Sequence, residues 1–261
     1  MSTVFASLHE AQSFLDQNPD IEMFELFILD SNGVPRGKLL HRDELLAVYA
    51  TGRPLPSTIL GLTLNGDDVE NSGLVWEVGD IDCRAYPISG SLQRMPWRLI
   101  PTAAVQVSMH PEEGLPATVA DPRHLLAKVI DGLKADGYYP VMAAELEFYL
   151  LDQKPDSNGR PQPARDMDGG RPRSTQVYGL RELEQIEPFL ADLYSACKLQ
   201  GIPARTAISE YAPGQVEITL EHRSDALQAM AEAVRSQRLV NGVAHKHGIT
   251  ARFMAKPFDD L

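Results

Sequence analysis

Residues 143–151 read AAELEFYLL, and the fold is decided by how this stretch is taken. A short apolar run rich in aromatic and branched residues predicts a strand. Side chains in a strand alternate between two faces. Leu146, Phe148 and Leu150 then make a core face, while Glu145, Glu147 and Tyr149 share the other. Two carboxylates on one face repel strongly if both are ionised and shielded from water. Alone, the pattern is that of a solvated strand face.

A second stretch, residues 209–219 with the sequence SEYAPGQVEIT, changes that reading. Glu210 and Glu217 flank YAPGQV, and their odd separation would set them on opposite faces of a straight strand. Pro213 and Gly214 lie between them and predict a bend or bulge that turns both toward one site. Neither stretch contains a Lys or Arg to balance its acids. Divalent cations are the natural counter-charge, and an all-oxygen donor set suits Mg2+ or Mn2+ rather than zinc or copper. Glutamate-bound magnesium commonly accompanies nucleotide phosphates. The chain has no Walker A loop, dinucleotide fingerprint or kinase signature, so phosphates here would be held by metal and side chains.

The rest of the composition sets limits. The 261 residues carry a net charge of −12, which argues against nucleic acid and against an anionic membrane surface as partners. No apolar run approaches the roughly 18 residues of a membrane span. The start, MSTVFASLHEAQSFLD, lacks the organisation of a leader. Cys83 and Cys197 fit neither a disulfide framework nor a zinc cluster, and Cys197 falls on the apolar side of an expected helix. A cytoplasmic location is the expectation.

Strands and helices are mixed along the chain, with no internal repeat. FELFILD, the turn Ser31-Asn32-Gly33 and VPRGKLL predict a hairpin. TILGLTL, LVWEV and TAAVQVSM are further expected strands. Asp121-Pro122 opens a helix carrying Leu125, Leu126, Val129, Ile130 and Leu133 on its apolar side, with Gly137 ending it. A long polar loop over 152–177 follows the acidic strand. A helix is expected over 183–199, a strand pair over ARTAISEYAPGQVEITL, a helix over 224–246 and a last strand in ITARFMAKP.

AELEFYL, EYAPGQVE and HGITARFMAKP, in this order and spacing, resemble the glutamine synthetase family, and within it the γ-glutamylputrescine (γ-glutamylpolyamine) synthetases. The resemblance implies an α+β fold: a β-grasp domain over residues 1–110, then the first part of a catalytic domain, an antiparallel sheet with helices, over 111–261. It implies that Glu147, Glu210 and Glu217 hold one metal ion and that Glu145 belongs to a second, with Glu210 and Glu217 also the catalytic acids. His222 falls near where the family contacts the nucleotide; a surface position between strand and helix is the plainer reading of that residue. His245 and His247 at a helix end, and Lys256, read as structural or solvated.

The activity implied is ATP-dependent ligation of L-glutamate to an amine through a γ-glutamyl phosphate, in a homo-oligomeric ring with active sites between subunits. Ammonia-using members carry a D-G-S-S stretch; here Asn65-Gly66-Asp67-Asp68 stands in the comparable place, which points to putrescine or another polyamine. The chain stops at Asp259-Asp260-Leu261, before the family's G-S-G-x-H segment, so about half of an active site is expected and no ligase activity from these residues alone. The alternatives are a glutamine synthetase using ammonia and a non-catalytic structural or regulatory homologue.

Overall fold

The computed structural model describes residues 5–110 and 119–258. The first residues of the expected non-leader start, the expected 110/111 boundary and the terminal Asp259-Asp260-Leu261 lie at or outside these limits. The chain forms two compact units, residues 1–140 and 141–261.

In the first unit, helix α1 (Leu8–Gln17) starts at Ser7, whose Oγ accepts the Glu10 N–H at 3.3 Å. Strands β1 (Met23–Leu29) and β2 (Pro35–His41) form the expected hairpin. Its turn is built on Asp30, fully buried, whose carboxylate accepts the backbone N–H groups of Asn32 and Val34 at 2.9 and 2.8 Å and pairs with Arg36 at 3.0 Å. Gly33 supplies the left-handed residue, φ +75°. Helix α2 (Leu45–Thr51) and strands β3 (Arg53–Pro56), β4 (Asp82–Pro87), β5 (Gln93–Arg94) and β6 (Thr102–Met109) follow. The sheet runs β2-β1-β6-β4-β3, with β5 beside β6, and β1 pairs with β6 in parallel. TAAVQVSM forms β6 as expected, and every residue in it is buried.

Two expected strands are not strands. In TILGLTL the chain forms a 3-10 turn over Ser57–Leu60, and LVWEV lies in turns. Their apolar residues are plugs: Leu60 and Leu74 enter the core of the first unit from loops, Val75 is also buried, and the Ser57 Oγ donates to the Leu74 carbonyl at 3.0 Å. A short apolar run satisfies burial equally well as a strand or as a pinned loop.

Helix α3 (Pro122–Ala135) begins as read, with the Asp121 carboxylate accepting the Arg123 N–H. It ends at Gly137, φ +84°, with Tyr138 N–H donating to the Leu133 carbonyl at 2.8 Å. Its expected inner side is corrected in part: Ile130 is buried as expected, but Leu125 and Val129 are 57% and 53% exposed, and Ala127 is the other buried residue. The anchor that sets this orientation is polar. Asp121 accepts the Ser108 hydroxyl at 2.7 Å and the Met109 N–H at 3.1 Å.

The second unit holds strands β7 (Glu145–Asp152), β8 (Ala204–Ser209), β9 (Gln215–Leu220) and β10 (Ile249–Arg252), in the antiparallel order β10-β7-β9-β8. Helices α4 (Leu180–Glu184), α5 (Glu187–Leu199) and α6 (Ala226–Lys246) complete it. The expected helix over 183–199 is thus two helices. Phe189, Leu193 and Cys197 of α5 are buried, and Phe189 meets Phe148 of β7 edge to face at 6.2 Å. The helices therefore cover the Phe148 and Leu150 side of the sheet, which leaves the glutamate side for other use. At the end of α6, Lys246 and His247 both reach Asp192 of α5, at 2.7 and 3.0 Å. His247 is structural, as expected.

Candidate active site

The register of β7 against β9 builds the site. Glu147 stands directly opposite Glu217, Glu145 opposite Thr219, and Tyr149 opposite Gln215. Facing pairs share a face, so Glu145, Glu147 and Glu217 project to one side. Glu210 joins them because the chain reverses. Its N–H donates to the Gln215 carbonyl at 3.0 Å, and Ser209 stands opposite Val216. Across a hairpin closed in this register, an odd separation puts Glu210 and Glu217 on the same face. The expected bend is a complete turn: Gln215 N–H donates to the Ala212 carbonyl at 3.0 Å, and Gly214 takes φ +76°. A Cβ on Gly214 would lie 3.0 Å from the Leu150 carbonyl oxygen, so glycine is also required for strand contact.

The electrostatics agree with this geometry. Burial pushes the Glu217 carboxyl above the usual carboxylate range. A side-chain hydrogen bond with Glu210, and the charges of Glu210, Glu145 and Glu147, push it the same way. None of the four acids forms an ion pair with a Lys or Arg among the described residues. This is uncompensated negative charge gathered on one buried-edged sheet face, and it costs stability unless a ligand repays it.

As the side chains stand, no three His, Cys, Asp or Glu groups among the described residues close around a common point as metal ligands. The donor set nonetheless fits a hard divalent cation in kind: carboxylate oxygens only, on adjacent strands, without competing basic partners. His222, beyond the end of β9, is exposed and forms no hydrogen bond or ion pair among the described residues.

Two neighbours complete this face: Gln215, which was not singled out from the sequence, and Tyr149, which the strand alternation placed there without a role. Gln215 donates from Nε2 to the Glu147 carboxylate at 2.6 Å, while its Oε1 accepts the Ala212 N–H at 3.0 Å. One amide thus ties a candidate ligand to the hairpin turn. The period-two spacing of Gln215 and Glu217 was the available signal. Tyr149, buried against Phe258 at 5.7 Å, lies on the acidic face, and burial and the Glu147 charge both raise its phenol. A cavity of about 350 Å³ opens at the hairpin tip, lined by Glu210, Gly214, Arg173, Arg181, Gln185 and Ile186 among others. The Gln185 Oε1 is buried there without a hydrogen bond.

The sequence pattern of the glutamine synthetase catalytic domain matches residues 119–261. The chain belongs to the glutamine synthetase family. It is 34% identical to the γ-glutamylputrescine synthetase PuuA of Escherichia coli (strain K12), over 98% of this chain and 54% of that protein. It is 29% identical to a glutamate–isopropylamine ligase of a Pseudomonas species, over 95% and 53% of the two chains. The fold agrees with a solved structure described as a GmaS/ADP complex, with a TM-score of 0.76 at 24% identity, covering 96% of this chain and 52% of that one. The chain spans about half the length of the relatives it matches. The α+β glutamine synthetase fold expected from the sequence is thereby established. The family match begins at residue 119, inside the first compact unit.

Proposed function

We propose that this chain carries part of the active site of an ATP-dependent ligase that joins the γ-carboxylate of L-glutamate to an amine. The observation that carries the reading is the facing pair Glu147 and Glu217, with Glu145 and Glu210 on the same side and no basic partner for any of them. Glu147, Glu210 and Glu217 would hold one Mg2+ or Mn2+, and Glu145 would contribute to a second. When bound, these ions supply charge neutralisation for phosphoryl transfer.

In the first step a γ-carboxylate oxygen of glutamate attacks the terminal phosphorus of ATP; the bond to the bridging oxygen breaks and ADP leaves. In the second, the amine nitrogen attacks the carbonyl carbon of the γ-glutamyl phosphate and inorganic phosphate leaves. The amine must shed a proton as the amide forms. Glu210 and Glu217, brought to one face by the β8–β9 hairpin, are the acceptors we assign.

A polyamine such as putrescine is favoured over ammonia by Asn65-Gly66-Asp67-Asp68 in the first unit, where ammonia-using members keep D-G-S-S. Similarity to a protein named for γ-glutamylputrescine supports the same choice. We place the whole protein in the cytoplasm as a ring with sites between subunits, as the resemblance implies. No helix among the described residues is long and apolar enough to cross a membrane.

The test is Mn2+ binding by electron paramagnetic resonance. The wild-type chain should bind, and Glu147→Gln and Glu217→Gln should each weaken binding by an order of magnitude or more, roughly the loss of one charged ligand. Unchanged binding in both variants would sink the site. With the enzyme encoded by the complete gene, phosphate release with ATP, glutamate and either putrescine or ammonium reads the acceptor, and a preference for ammonium overturns the polyamine assignment.

A further inference from the structure

Strand β10 is the edge strand beside β7. Its register sets Arg252 opposite Tyr149, which in turn stands opposite Gln215. Arg252 therefore shares the sheet face of Glu145, Glu147 and Glu217. Glu147 is its diagonal neighbour, at a strand-to-strand offset of about 7–8 Å, well within the reach of an arginine.

Arg252 makes no such pair. It is exposed, and its guanidinium forms no hydrogen bond or ion pair among the described residues. Glu147 takes the Gln215 amide instead, at 2.6 Å. Elsewhere in this unit arginines beside acids do pair, as Arg205 does with Glu221 at 2.8 Å and Arg223 with Glu232 at 3.1 Å. A guanidinium left free beside four acids is open to an oxyanion arriving at that face. Its planar fork matches phosphate and carboxylate oxygens two at a time.

We infer that Arg252 binds an oxyanion of the substrates, a nucleotide phosphate or a carboxylate of glutamate, brought to the acidic face. The inference rests on the ligase reading above. It makes Arg252 a substrate-gripping residue supplied by the strand next to the candidate metal ligands, and it gives an otherwise unexplained edge-strand arginine a role.

The experiment uses the whole chain loaded with Mn2+. ADP and L-glutamate are titrated separately by calorimetry into wild type, Arg252→Gln and Arg252→Lys, with Mn2+ affinity measured in parallel. The expected result is a loss of about tenfold or more for one of the two ligands in Arg252→Gln, with a smaller loss in Arg252→Lys, which keeps the charge and loses the fork. Mn2+ affinity should stay within about twofold. Weakened ADP assigns the phosphate, and weakened glutamate assigns the carboxylate. Equal affinity for both ligands in all three proteins overturns the inference. So does an effect confined to tighter Mn2+ binding in Arg252→Gln, which would make Arg252 a charge balance for the acids, and so does a wild type that binds Mn2+ but neither ligand. A wild type that binds no Mn2+ overturns the ligase reading itself, and this inference with it.

Discussion

Glu147 and Glu217 stand directly opposite one another on adjacent antiparallel strands. Like charges in this position destabilise a sheet, so the pair is held by the fold against its own electrostatics. The Glu217 carboxyl is raised by burial first, then by its bond to Glu210 and by the surrounding acids. That cost yields a measurable trade-off.

Glu217→Gln should stabilise the metal-free protein while weakening metal binding. A carboxyl raised in the folded state contributes its full stability below the ordinary glutamate value of 4.5 and loses it as pH rises through the raised folded value. In a chelator at neutral pH the variant should therefore unfold later in urea, by about 0.5 kcal/mol on the scale of cross-strand like-charge pairs. The difference should vanish in acid, where the wild-type carboxyl is protonated. A variant less stable than wild type at neutral pH would contradict the repulsion.

Gln215→Leu removes both the bond to Glu147 and the bond to the Ala212 N–H. Partners that orient a metal ligand typically carry 10–100-fold of affinity, so Mn2+ binding should weaken within about that range. The lost turn bond should cost about 1 kcal/mol of stability. Full Mn2+ affinity in the variant would show that Glu147 needs no such support.

Gly214→Ala tests the hairpin. The left-handed backbone at φ +76° and the 3.0 Å approach of a Cβ to the Leu150 carbonyl both oppose a side chain there. A loss of about 1–2 kcal/mol is expected from the backbone conformation alone. Because the turn sets Glu210 against Glu217, Mn2+ affinity should fall together with the urea midpoint. A fall in stability with binding intact would separate the turn from the site.

Asp192 offers a pH dependence of the opposite sign. Hydrogen bonds from Lys246 and then His247 hold its carboxyl below the usual range. Its stabilising contribution is complete above the ordinary aspartate value of 3.8 and is lost as pH falls through the lowered folded value. Asp192→Asn should flatten that acid-side decline in urea midpoints. The group is substantially exposed, so the effect is at most about 1 kcal/mol. An unchanged acid limb would mean that solvent screens the cluster completely.

Local residues carried much of this molecule. The hairpin at Ser31-Asn32-Gly33, the capped helix at Asp121 and the alternating faces of AELEFYL follow from turn chemistry, capping and the two-residue period of a strand. The same period separated Glu145 and Glu147 from Phe148 and Leu150 before any partner was known. It did not tell a strand from a pinned loop in TILGLTL, because burial alone is degenerate over so few residues. Nor did helical periodicity identify the buried side of α3, where Ser108 and Met109 hold Asp121 and the apolar Leu125 and Val129 stay exposed.

The tertiary structure decided what the four acids do together. Strand pairing between β7 and β9 joins segments far apart in the chain, and no local propensity fixes that register. It set Glu147 against Glu217 and Tyr149 against Gln215, and the pairing of β10 with β7 added Arg252, whereas the shared face of Glu210 and Glu217 comes from the local β8–β9 hairpin that Pro213 and Gly214 announce. AAELEFYLL by itself determined that two carboxylates share a strand face. Only long-range pairing, with the burial it imposes on Glu217, set a third acid directly against them and made that face the one we propose for a cation.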